Sequence, residues 1–104
     1  DVPPGERGPV YVDTAELLLM ESFPVQVNLQ VKGALPTPCH ELKWEVEAPD
    51  SSGRIDVALY SLADPTLACI QVLEDFEAGI PLGSYAEGTY TVYLNGKLVG
   101  EVQL

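Results

Sequence analysis

The chemistry-bearing residues of this chain are few and poorly spaced for catalysis. Its one histidine, His40, directly follows Cys39, and a Cys-His pair is the usual machinery of a thiol nucleophile. Adjacent residues on an extended chain point to opposite sides, so these two side chains do not meet, and His40 reads as a solvent-facing loop residue. Cys39, His40 and Cys69 would offer zinc an oddly spaced set, where the ion wants four ligands, or three and a water. Asp50-Ser51-Ser52 carries hydroxyls without a base, and between Pro49 and Gly53 it reads as a turn whose side chains bond their own backbone. Carboxylates crowd at Glu74, Asp75 and Glu77, as a loop Ca²⁺ site would want, but Phe76 interrupts the run and no Asp-x-Asp-x-Asp-Gly loop occurs. A Gly-rich phosphate loop, His-Glu-x-x-His and Gly-x-Ser-x-Gly are also absent from the sequence. The expectation is a chain with no catalytic residue, no metal site and no cofactor, and not an enzyme.

Two further sets of residues bear on function. Cys39 and Cys69 admit three readings: a disulfide, two buried thiols, or half of a metal site. An even count in a small acidic domain favours the first, and a disulfide would imply an oxidising compartment. Tyr11, Tyr60, Tyr85 and Tyr93 fall at loops or opposite the apolar faces. Tyrosine suits interfaces because it buries area at small entropic cost, but packing on edges or covering the sheet is the simpler account of these four.

The elements that must position these residues are short and extended. At 104 residues the chain is long enough for one core and too short for two. Residues 1–9 lack periodicity and read as a flexible lead-in, with one domain over 10–104. The Pro- and Gly-rich opening fits a mature chain whose targeting segment has been removed. Val10 to Met20 includes AELLLM, which would suit a helix, but its shortness and the following Phe23-Pro24 favour a strand. Val25, Val27, Leu29 and Val31 alternate with Gln26, Asn28, Gln30 and Lys32, the period-2 pattern of a half-buried strand. A turn over GALPTPCHE leads to Leu42, Trp44 and Val46 facing inward, with Trp44 the expected centre of the core. APDSSG then turns the chain into Arg54 to Leu62. A weaker run through Ile70 to Leu73, Phe76, Ile80 and Leu82, broken by Gly79, Pro81 and Gly83, reads as an edge strand. Tyr90, Val92 and Leu94 alternate inward up to Asn95-Gly96, a type I′ hairpin signal, after which Leu98 and Val102 return. About seven short strands without a strong helix predict an all-β, Ig-like antiparallel β-sandwich.

Two stretches carry a resemblance. Pro36 to Leu42, PTPCHEL, and Ala63 to Gly96, ADPTLACIQVLEDFEAGIPLGSYAEGTYTVYLNG, resemble Ig-like domains of bacterial cell-envelope proteins, often lipoproteins. Those domains place one Cys before strand C and another in a D-to-E loop. They follow it with a Phe-Glu pair, an Ile-Pro-Leu run and a closing Asn-Gly hairpin, here Phe76-Glu77, Ile80-Pro81-Leu82 and Gly88 to Gly96. The resemblance covers the C-terminal two thirds. It implies pairing of Cys39 with Cys69 and export, and it brings no catalytic residue. The bridge would differ from the inter-sheet disulfide of antibody domains, and Tyr90 stands where a tyrosine-corner residue would, with Val92 in place of the usual cysteine.

Charge narrows the partners. Asp plus Glu number 16 against 5 for Lys plus Arg, a net charge of -11, which repels phosphate backbones and anionic lipid. Nucleic acid is therefore not expected, and the apolar runs, such as Leu17 to Met20, are far too short to insert in a membrane. The reading is an exported, monomeric module of the cell envelope or extracellular space, acting as a protein-interaction or spacer domain with an unidentified protein partner. Two alternatives are an Ig-like proteinase inhibitor using Leu35 to His40 or Ala78 to Tyr85 as bait, and a Ca²⁺-dependent adhesive module.

Overall fold

In the computed structural model the described residues are 6–20, 24–64 and 66–104. They form eight strands and no helix: β1 (Glu6–Gly8), β2 (Tyr11–Met20), β3 (Gln26–Leu35), β4 (His40–Val46), β5 (Arg54–Ala63), β6 (Glu74–Gly83), β7 (Thr89–Leu94) and β8 (Lys97–Gln103). One sheet runs β2-β3-β6; in the other, β4 and β7 flank β5, β8 follows β7, and β1 joins β5 beside β7. The alternating residues of each strand meet between the sheets. Val27, Leu29 and Val31 from β3 pack with Ile80 and Leu82 of β6 against Ile55, Val57 and Leu59 of β5 and Val92 and Leu94 of β7. The chain is thus an all-β sandwich, and Phe23, at the strand-favouring Phe23-Pro24 step, lies outside the described residues.

Several local expectations change. Glu6–Gly8, placed by sequence in the lead-in, forms β1 against Ser61 to Ala63. The pair β5 and β7 runs parallel, Arg54 opposite Thr91 through Val57 opposite Leu94, where an all-antiparallel arrangement was expected. Gly33 to Leu35 belong to β3 and not to a turn. Gly33 lies opposite Val12, beside a bulge in β2, and a Cβ there would overlap the Tyr11 carbonyl; this glycine serves close strand approach.

Trp44 is 38% exposed and is not the centre of the core. It sits on β4, the outer strand of the wider sheet, paired with Leu59. The opposite sheet has only three strands and barely reaches β4, so the indole is left partly open to solvent. β6 is an edge strand as expected, but it starts at Glu74, opposite Leu35, the last residue of β3. Ile70 to Leu73 therefore have no strand to pair with and leave the sheet.

Candidate functional site

The residues that looked chemical resolve into structural roles. Asp50 Oδ1 accepts hydrogen bonds from the Ser52 amide at 2.9 Å, the Ser52 hydroxyl at 2.7 Å and the Arg54 amide at 3.0 Å. The Ser52 hydroxyl bond first, then the two amides, hold the Asp50 carboxyl below its ordinary range. The cluster fixes the β4-β5 turn, as the sequence suggested. His40 opens β4 and is half-buried, with Nδ1 2.8 Å from Thr37 Oγ1. That contradicts its reading as a solvent-facing loop residue: Thr37, 6% exposed, holds the imidazole against the turn that precedes it. Among the described residues no group of three His, Cys, Asp or Glu is placed to hold a metal.

The tyrosines are largely engaged within the chain. The Arg7 guanidinium lies 3.8 Å from the Tyr60 ring centre, and Arg54 lies at the same distance over Tyr93. Arg54 also binds both oxygens of Asp56, at 3.0 and 3.2 Å. Tyr85 donates to the Leu82 carbonyl at 2.7 Å and packs on Tyr90, and its burial pushes the hydroxyl pKa up. Tyr11 is exposed.

Neither proposed bait segment protrudes. Leu35 and Thr37 are buried, and Ala78 to Gly83 are inside β6 with Ile80 and Leu82 in the core. A groove of about 470 Å³ between the start of β2 and the β7-β8 hairpin has walls of mixed character, including Val12, Ala15 and Leu98. Its polar members are Asn95, whose side chain is already bound to Leu59, and Lys97. It lacks the convergent polar groups that orient a small ligand.

What does stand exposed is the β5-β6 connection, described over residues 66–73. Leu67 is 56% exposed, Ile70 67%, Val72 49% and Leu73 62%. Cys69, in the middle, is bonded to Cys39 at a Cα-Cα distance of 6.0 Å, within the span a disulfide needs. The near end is clasped by Asp64, whose Oδ1 accepts from the Thr66 amide at 2.9 Å and from its hydroxyl at 2.6 Å. Those bonds, the hydroxyl's first, hold the Asp64 carboxyl low. The far end enters β6 at Glu74. The loop is thus an exposed apolar stretch pinned at both ends and at its centre, and its acid neighbours are Asp64, Glu74 and Asp75.

Residues 29–104 match the ORF11 beta-sandwich domain. The chain belongs to this family. No curated protein and no solved structure matches it. In this ORF11 beta-sandwich domain the matched segment takes in both cysteines and the whole apolar loop, and starts within β3. The sequence reading had counted Ile70 to Leu73 with the edge strand. The signals against that were Asp64-Pro65, which favours turn initiation, and a cysteine in mid-run.

Proposed function

We propose that the chain is a non-catalytic, Ig-like interaction module of an exported cell-envelope protein, and that it meets a protein partner through the stapled loop 66–73. The observation that carries this reading is the set of apolar side chains at Leu67, Ile70, Val72 and Leu73, which lie about half exposed or more on a segment that the fold holds in place. Exposed contiguous apolar surface is unfavourable in water unless something covers it. A mere spacer has no use for it. The disulfide supports export, because such bonds persist in oxidising compartments. The Ig-like character is supported by Tyr90, whose hydroxyl donates to the Ala86 carbonyl at 2.8 Å, the bonding pattern of a tyrosine corner. The parallel β5-β7 pair departs from that fold.

The test is the combined substitution Leu67→Ser, Ile70→Ser and Leu73→Ser, followed by urea unfolding. If the side chains await a partner, stability changes by less than about 1 kcal/mol. Loss of about 2 kcal/mol or more per side chain would mean that they pack in the folded chain, and would overturn the reading.

A further inference from the structure

We infer that the loop 66–73 occupies and blocks the substrate cleft of an endopeptidase that selects apolar side chains. This rests on the loop being the interaction surface, and it names the class of partner.

The first argument is the backbone. From Ala68 to Val72, among the described residues, no backbone group bonds another backbone group. Apart from the Cys69 carbonyl, which accepts from Gln71 Nε2 at 3.3 Å, such a stretch is free to pair along the edge of a partner, which is how a peptide is taken up by strand addition. Endopeptidase clefts bind their substrates this way, with pockets receiving successive side chains. The second argument is side-chain type. Leu67, Ile70, Val72 and Leu73 are the groups on offer, and the sequence from 55 to 96 contains no Lys or Arg. A cleft that needs a basic side chain has nothing to hold here, and an apolar one has several choices. Asp64, Glu74 and Asp75 at the loop's ends favour a neutral or basic rim on the enzyme.

The third argument explains inhibition as opposed to digestion. Hydrolysis of one bond in the loop adds a water and leaves a new carboxylate and a new amine. Both remain tethered, one by β5 and the Asp64 clasp, the other by the bridge to Cys39 or by β6. The cut ends stay at high effective concentration and do not diffuse out of the cleft. Holding the loop in place before binding also lowers the entropic cost of association.

The experiment titrates the oxidised chain against subtilisin, pancreatic elastase and chymotrypsin, with trypsin as the control, using small chromogenic substrates. At least one of the first three is expected to be inhibited with a constant of about 1 µM or below, and trypsin not. Leu67→Gly with Ile70→Gly should raise that constant at least about 10-fold. Opening the bridge with Cys39→Ser and Cys69→Ser should turn the loop into a substrate cut between residues 66 and 73. If the bridge-free chain does not fold, the glycine pair decides alone. Two outcomes overturn the inference: no inhibition of the three enzymes at about 100 µM, or rapid cleavage of the loop in the oxidised chain. Either result beside an unchanged stability of the triple serine variant removes this partner class and leaves the interaction surface standing.

Discussion

The carboxamide of Asn95 closes a gap in the edge of β5. Its Nδ2 donates to the Leu59 carbonyl at 3.0 Å and its Oδ1 accepts from the Leu59 amide at 2.8 Å, so a side chain stands in for a strand residue. The same residue has φ of 51° and Gly96 φ of 84°, the positive values that a type I′ turn requires. Asn95→Ala removes both bonds, leaves the amide and carbonyl of buried Leu59 unpaired, and places a Cβ-bearing residue without a polar side chain in the left-handed region. Urea unfolding should register a loss of about 2–4 kcal/mol. Asp50 is tested by pH. Its folded-state pKa is depressed, so its contribution is present above the unfolded-state value near 4 and is lost as pH falls through the lower folded value. Asp50→Asn should therefore melt below the wild type at neutral pH, and the gap should narrow in acid. A gap that does not vary with pH would assign the turn's stability to geometry alone. The Asn95-Gly96 turn was legible in the dipeptide. The second use of Asn95 was not, because its partner lies 36 positions away in sequence.

Among the elements, β3 was the most legible, since its alternation runs unbroken from Gln26 to Lys32 and both of its neighbours lie in the same sheet; only its end, Gly33 to Leu35, all buried, loses the period and reads as a turn. Trp44 was misread because alternation tells which face of a strand a residue occupies, not whether the opposite sheet extends that far. Ile70 to Leu73 were misread for a related reason: an apolar run forms a strand only where a partner edge exists, and β3 ends at Leu35. The bridge between Cys39 and Cys69 ties this loop to the β3-β4 turn across a separation of 30 residues. Removing it with Cys39→Ser and Cys69→Ser should cost about 3–4 kcal/mol on the chain-entropy account, read as a lower denaturation midpoint with a steeper slope, because the unbridged unfolded chain exposes more surface. A loss well below that would mean that the unfolded chain is already restricted there. The candidate site itself was visible in the sequence only as a cysteine inside an apolar run.

At the scale of the molecule, charge and topology act together. Of the five basic residues, Arg7, Lys43 and Arg54 are engaged by Glu45, Glu41 and Asp56, so most of the acidic surface is uncompensated and self-association through the apolar loop works against like charge. All-β class and the edge position of β6 followed from pattern. The parallel pairing of β5 and β7 did not, because no local period distinguishes the two directions. One edge of β5 is assembled from three distant pieces: β7 along Arg54 to Val57, the Asn95 side chain at Leu59, and β1 along Ser61 to Ala63. During synthesis β1 leaves the ribosome first and has no partner until β5 has followed it, and β5 keeps a bare flank until residues 89–95 emerge. This sheet therefore waits for residues 89–95 before it can form, and with pairings this remote its folding belongs to the millisecond-to-second regime.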